Sequence, residues 1–465
     1  MLKAIKIQIY PDQEQKVYIS KLLGSCRFIY NNCLAYKIEK YNKDKTTVGF
    51  KDLGKYLTEL KTKDEYSWLK DSHSKVLQQT LINLEYAYKS FFKNGQGFPR
   101  FKSKKDNKQA CRFPIDAISN IKGNRINIIR TLFNIHFKCS ITDEKYLNKN
   151  QDKIKSATLT RTKSGKYYFS ILIDKNNAKI LPKTDNIIGI DLGIKDFIVD
   201  SNGNHFNNIK IKRNNQKKLT KLHRQLSKKQ LLGTGEFKLN KYGKEVEIKK
   251  PSNNREKARI KLAKFQEKLG NIKENYLHQV TNKLLNENQV IVIENLNVMG
   301  MLKNHCLAGS IQELSLNRFK TMLTYKANWY GREIIEIDRW YPSSKLCSNC
   351  GNKNNKLTLK DRSWVCPECN TVHNRDYNAA INIRKEGERI LSIKENKINK
   401  ANNEINNNIS NNLLVSNINK DVLVGLSSPE FTLEDYPTMD DRLRNEVLKS
   451  SDRLIQEKND FIDLL

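Results

Sequence analysis

No run of eighteen apolar residues occurs in this chain of 465 residues, which argues against a helical membrane span. Its opening, MLKAIKIQIYP, lacks the basic start, apolar run and small-residue cleavage site of a secretory signal, so the cytoplasm is the expected compartment. Acidic side chains are scarce: 50 Asp and Glu stand against 84 Lys and Arg, a formal charge of +34. That excess is far beyond what solubility needs and calls for a polyanionic partner, with nucleic acid the natural candidate and an anionic membrane surface its competitor. Disulfide-scaffold spacing is also missing. The nine cysteines are an odd number, and only four form close pairs. The remaining five (Cys26, Cys33, Cys111, Cys139 and Cys306) read as small core residues, none with an evident base partner that would make it a nucleophile. The length accommodates two or three domains.

What is present centres on NIIGIDLGIK, where Asp191 stands between two glycines in an apolar strand. Alternation sends Ile188, Ile190 and Leu192 to one face and Gly189, Asp191 and Gly193 to the other, the glycines leaving room for a ligand or backbone to approach. One isolated DxG is most simply a strand-end turn cap. Two later segments change that reading. VIVIEN delivers Glu294 at the tip of a second buried strand, on the parity of Val290 and Val292. HNRDYNAAINI reads as a helix with Asp376, Ala379, Ala380 and Ile383 on one face, the alanines letting it sit close to a sheet. Three acids on elements that should be buried are best explained as ligands for hard cations such as Mg²⁺.

Between the second and third acids, Cys347, Cys350, Cys366 and Cys369 form CSNC and CPEC with fifteen residues between the pairs, a zinc-ribbon spacing. Four thiolates close a tetrahedral shell, so this Zn²⁺ is structural and His373 is expected to be a bystander.

DLG, IENL and the double CxxC running into NRDYNAAINI together resemble the TnpB family, RNA-guided nucleases of insertion-sequence transposons related to type V CRISPR effectors. One departure is His373-Asn374-Arg375 where HDR is more usual, which leaves Asp376 untouched. The resemblance implies an α+β multidomain chain: an RNase H-like (RuvC) nuclease domain over 185–340 and 372–386 with a basic helical insert at about 214–287, and a zinc ribbon at 341–371. It further implies a β-barrel (wedge) domain from 1–10 and 110–184, interrupted by a helical recognition lobe over 11–109. Asp191, Glu294 and Asp376 would hold two Mg²⁺, with Mn²⁺ an alternative, and cut DNA by in-line displacement. The implied partners are a guide RNA from the transposon end and a double-stranded DNA target, bound by a monomer in the RNA complex. Arg375 would contact the scissile phosphate or the backbone elsewhere.

Other segments carry expectations of their own. A strand at 2–10 ends at Pro11. Helices follow from Gln13 to Tyr41, with Val17, Leu22, Cys26, Ile29, Tyr30, Cys33 and Leu34 apolar at helical spacing, and from about Ser74 to Phe92. On the latter, Lys75 and Gln79 are expected on an outer face, either simply solvated or, as the resemblance implies, reading a short motif beside the target. In GFPRFKSKKDNKQACRFP, basic residues including Arg100, Lys102 and Lys104 alternate with Phe98, Phe101 and Phe113, which suits phosphate contact and base stacking, unless it is a solvated loop. Thr162 to Gly165 reads as a hairpin turn. Two long basic helices between Asn214 and Glu287 flank a loop or extended hairpin near 233–251, and their one-sided basicity suits a channel wall. Residues 387–465 read as a disordered tail, with at most a frayed helix in the Asn- and Lys-rich stretch from Ile390 to Lys420, and then acidic, with eleven acids against five bases from Asp421 onward. Either it competes for the basic channel or, as the resemblance implies, its codons also specify the guide RNA. A cleavage-incompetent RNA-guided repressor or transposition accessory protein, and a guide-independent structure-specific nuclease, are the alternative readings.

Overall fold

The computed structural model describes residues 2–104, 109–129, 131–174, 180–239, 245–358 and 360–412. They fall into two compact units, one built from the chain up to Asn176 and Leu222–Lys264, the other from Asn177–Lys221 and the chain from Phe265 onward.

In the first unit, Ile5, Ile7 and Ile9 alternate inward along strand β1 (Leu2–Tyr10), and Pro11 follows it. Helix α1 (Gln13–Asp44) starts on a reciprocal cap: the Asp12 carboxylate accepts the Gln15 N–H at 2.8 Å, and the Gln15 side chain accepts the Asp12 N–H at 3.1 Å. It is followed by α2 (Phe50–Thr62) and α3 (Ser74–Asn94), the latter stopped by Gly95 at φ +60°. The chain then forms β2 (Gln109–Pro114), β3 (Asn120–Lys122), β4 (Arg125–Asn127), β5 (Ile135–Lys138), α4 (Ile141–Lys149), β6 (Ile154–Arg161) and β7 (Tyr167–Asp174). These strands make one antiparallel sheet in the order β2-β6-β7-β1-β5-β4-β3. The expected hairpin turn joins β6 and β7, with Gly165 at φ +85°.

Two expectations change here. The sheet has free ends at β2 and β3 among the described residues, so hydrogen bonds do not close it into a barrel. The helices also share one core with it: Ile7, Phe113 and Phe169 of the sheet pack with Leu22 and Ile29 of α1 and Leu77 and Leu81 of α3. An apolar helical stripe needs a covering layer, and the sheet face supplies it. Within α1 the stripe runs through Ile19, while Val17 is exposed. Helix α2, which the sequence reading passed over, buries Leu53, Leu57 and Leu60 at helical spacing.

In the second unit, β8 (Ile187–Leu192), β9 (Asp196–Asp200) and β10 (His205–Asn207) run antiparallel. Then come α5 (Ile211–Asn214) and α6 (Gln216–Ser227), from whose Leu222 the chain belongs to the first unit through an extended antiparallel hairpin of β11 (Leu231–Leu239) with β12 (Glu245–Pro251) and into α7 (Asn253–Glu287), which returns to the second unit at Phe265, so the hairpin alternative holds. After β13 (Val290–Glu294), helices α8 (Val298–Met301), α9 (His305–Leu314) and α10 (Leu316–Tyr330) lead to β14 (Glu333–Ile337), strands β15 (Ser363–Val365) and β16 (Val372–Asn374), and α11 (Arg375–Asn412). The sheet order is β10-β9-β8-β13-β14, with β13 parallel to both neighbours.

Parity sorts its two faces. Ile188, Ile190, Ile291 and Ile293 pack on Leu277 and Leu284 of α7 and Phe319 and Leu323 of α10, while Val290, Val292, Ile335 and Ile337 meet Ile383 of α11. A Cβ on Gly189 would lie 2.3 Å from the Ala380 carbonyl oxygen and 2.5 Å from the Arg384 nitrogen, so the space beside this glycine is taken by the backbone of α11. Gly387 serves the same approach, its would-be Cβ lying 2.3 Å from Val292 Cγ2. The helix therefore passes the expected boundary at 387. Ile390 and Leu391 pack on the same core, and Lys394 pairs with Glu333 at 3.1 Å. The acidic segment from Asp421 lies outside the described residues.

Candidate active site and metal centre

Register brings the acids together. Ile293 of β13 lies opposite Ile190 of β8, so Glu294 and Asp191 are the next positions along two parallel neighbours, on the α11 face. Asp376 enters from the first turn of α11, whose Ala379 and Ala380 are fully buried on the sheet. Burial, reinforced by the charges of Glu294 and Asp376, pushes the Asp191 carboxyl up to about 8, against the opposing pull of Arg375 and the Leu192 N–H. Burial also raises Glu294, opposed by the Ser343 hydroxyl, which donates to its Oε1 at 2.5 Å. Asp376 is held from the other side: Arg375 donates to Oδ1 at 3.1 Å and Arg362 to Oδ2 at 3.1 Å. The donor set is three carboxylates without thiol or imidazole, which fits a hard cation.

The four cysteines converge as expected. Sγ of Cys347 lies 3.5 Å from that of Cys369, and Sγ of Cys350 lies 3.6 Å from that of Cys366. A tetrahedron of Zn–S bonds of about 2.3 Å has an edge of about 3.8 Å, so this cluster fits zinc. Among the described residues, it forms the one group of three or more Cys, His, Asp or Glu whose ligating atoms all lie within 4.8 Å of one another. His373 is no bystander. Its Nε2 sits 3.0 Å from Cys347 Sγ and its ring packs on Trp364 at 4.8 Å, supporting the cluster from outside the four ligands.

Several residues that tie the centre to the ribbon were not singled out from the sequence. Asn378 and Asn382, one helical turn apart on α11, are buried and turned to the chain that enters the ribbon: Asn378 accepts the Ser348 N–H at 2.9 Å and donates to the Leu346 carbonyl at 2.7 Å. Asn382 donates to the carbonyls of Ser343 at 2.8 Å and Leu346 at 2.7 Å. Their signal was two asparagines at i and i+4 in NAAIN, off the alanine face.

The candidate nucleic-acid residues are more dispersed. Lys75 is exposed and bonded to Asp116 at 2.7 Å, but Gln79 is buried. It lies three residues beyond Val76, on the edge of the core stripe and away from the outer face expected for it. Arg100, Lys102 and Lys104 are exposed; the Lys102 backbone is zipped to Asn31 at 2.8 and 2.9 Å, and its ammonium lies 3.6 Å from the centroid of the Tyr30 ring. The phenylalanines are not free platforms. Phe113 is fully buried against Phe169, Phe98 meets Tyr88 and Phe91 edge-on, and Phe101 packs on the core. Among the isolated cysteines, Cys26, Cys33 and Cys111 are buried and Cys139 partly so. Cys306 is exposed in the first turn of α9, contrary to a core role.

Comparison with known proteins follows the same line. Residues 170–305 match the family model described as "Probable transposase", residues 317–383 match "Cas12f1-like, TNB domain", and residues 1–46 match "Helix-turn-helix domain", although here they form β1 and the single helix α1. A Streptomyces pristinaespiralis protein named "Putative RNA-guided DNA endonuclease" is 32% identical over 385 residues, covering 83% of this chain and 89% of its own. "Putative RNA-guided DNA endonuclease InsQ" of Escherichia coli K12 is 30% identical over 413 residues, covering 85% of this chain and 94% of its own. A solved Cas12f1-sgRNA-target DNA complex aligns with 83% of this chain and 98% of its own at 14% identity and TM-score 0.48, too distant to carry function. With relatives at this identity matched over most of their length, the chain belongs to the TnpB family.

Proposed function

We propose that this protein is a guide-RNA-directed DNA endonuclease with one RuvC-like centre formed by Asp191, Glu294 and Asp376. The observation that carries this reading is that Asp191 and Glu294, at the ends of two neighbouring interior strands, and Asp376 at the start of α11 lie close enough that burial, reinforced by the charges of the other two, raises Asp191 to about 8. Burying carboxylates that also repel one another costs stability unless a cation offsets their charge. Mg²⁺ held there would activate water and stabilise charge on the leaving oxygen. The chain's own groups orient that centre: Ser343 fixes Glu294, Arg375 and Arg362 hold Asp376, and Arg375 is suited to a phosphate. Four thiolates fit one structural Zn²⁺.

Target choice would come from base pairing with the guide RNA, while the protein reads duplex shape and a short flanking motif, acting as a monomer on the RNA. The charge of +34 supports the polyanionic partners, and no described helix is long and apolar enough to cross a membrane. The test is Asp191→Ala with separately made guide RNA and Mg²⁺. Cleavage of both strands should fall below a few per cent while RNA and target binding persist. A wild-type protein that binds guided targets and never cuts is the repressor instead. For the flanking motif, Lys75→Ala should weaken only targets that carry it, by about 1–3 kcal/mol, whereas equal weakening on every duplex marks a phosphate contact.

A further inference from the structure

The loop after β14 leaves one carboxylate and returns to it. Ile337 is paired in register with Glu294, and Ser343 hydrogen-bonds the Glu294 side chain. The residues between are braced: Arg339 Nε donates to the Asn295 carbonyl at 3.3 Å, the Trp340 N–H to Asp338 Oδ1 at 2.7 Å, the Tyr341 N–H to the Asp338 carbonyl at 3.2 Å, and the Ser343 N–H to the Tyr341 carbonyl at 2.8 Å. At the apex stands Trp340, 84% exposed. Trp364 is buried, and Trp68 and Trp329 pack on Phe28 at 5.1 Å and Tyr325 at 4.6 Å.

A single exposed apolar side chain is ordinary on a protein surface. This one differs in its support and its place. An indole on a mobile loop stacks poorly, because ordering the loop consumes the gain, whereas these hydrogen bonds already hold the backbone beneath Trp340. Both feet of the loop stand on Glu294, so a strand running to the carboxylates passes beside it. Arg339 next to it retains guanidinium donors beyond the Nε used on Asn295, enough to meet a phosphate while the indole meets a base.

We propose that Trp340 is a positioning residue that stacks on one nucleobase of the single-stranded DNA entering the carboxylate centre and so sets the register of the cut. The proposal rests on the nuclease reading and adds to it the residue that grips the strand. A flat aromatic face accepts any base, so it would set where the strand is held without selecting its sequence.

The test uses the full-length protein and a single-stranded oligothymidylate at fixed salt, reading tryptophan emission and affinity together for wild type, Trp340→Phe and Trp340→Ala, each first checked for an unchanged Tm. The oligonucleotide should quench the long-wavelength emission of the wild type. Trp340→Phe should lack that component yet bind within about two-fold, and Trp340→Ala should bind about five-fold or more weakly with an unchanged salt slope, since no charge is lost. In guided cutting, one abasic position near the cut should slow the wild type and leave Trp340→Ala no slower than it already is. Oligonucleotide binding without a change in emission, or full affinity in Trp340→Ala, overturns the proposal while leaving the nuclease reading intact. A wild type that binds no oligonucleotide likewise overturns the proposal, whereas the nuclease reading falls only if the guided wild type does not cut.

Discussion

Without cation, burial and the neighbouring carboxylates raise Asp191 from its ordinary value of 3.8 to about 8. Between about pH 4 and 8 the folded chain therefore holds a proton that the unfolded chain has lost, so without cation stability falls as pH rises through this window and levels off above it. Asp191→Asn should flatten that slope: the cation-free variant should melt above wild type at pH 8, by on the order of a few kcal/mol, and match it near pH 4. Mg²⁺ must displace the same proton, so its affinity, measured by calorimetry, should rise with pH up to about 8. Two residues away, Gly189 gives a test of packing alone. Gly189→Ala puts a methyl against the backbone of α11, with no flexible side chain to yield, and should cost at least the roughly 1–3 kcal/mol of an overpacked core in a denaturant melt.

Helix α11 serves two neighbours with two faces. Asp376, Ala379, Ala380 and Ile383 lie on the sheet, and Asn378, Asn382 and Lys385 bond the chain that enters the ribbon. Asn382→Ala leaves the Ser343 carbonyl without this donor, and should cost about 1–3 kcal/mol. Because Ser343 also holds Glu294, cutting should slow in this variant while RNA affinity stays the same; equal loss of both would indicate general unfolding. Zinc should act through the same element. The Arg375 N–H donates to the Arg362 carbonyl at 2.8 Å, and Arg362 bonds Asp376. Chelation, or Cys366→Ser, should therefore raise hydrogen exchange over 341–374 first, leave the strands around Asp191 protected, and still abolish cutting by releasing Asp376.

At the scale of the whole chain, the point at which it is cut back decides the outcome. Removal from Glu388 onward takes Ile390 and Leu391 from the core and Lys394 from Glu333, and should lower Tm. Removal after Asn412 should leave Tm and cutting unchanged when the guide RNA comes from a separate gene. Faster cutting in the second truncation, greatest at low salt, would instead mark the acidic segment as a competitor for the basic surface.

How much was legible follows from the range of the physics. Alternation and helical spacing are local, so strands β1, β8 and β13, the face of α11 that carries Asp376, and the cysteine spacing could be read from neighbours in the chain alone. The carboxylates announced themselves because an acid in an apolar strand is costly unless it is used. Packing is not local. That Gly189 receives a helix backbone, that Gln79 turns inward, that Phe98, Phe101 and Phe113 fill a core, and that His373 braces a thiolate all depend on what arrives from distant parts of the chain. The length of α11 has the same cause: Asn-rich composition by itself predicts no more than a frayed helix, and the packing of Ile390 and Leu391 on the core of Val292 and Ile335 supports one there. The sequence by itself determined which residues carry the chemistry and on which faces they lie. Tertiary structure alone decided which surfaces meet, because burial depends on the partner as much as on the residue.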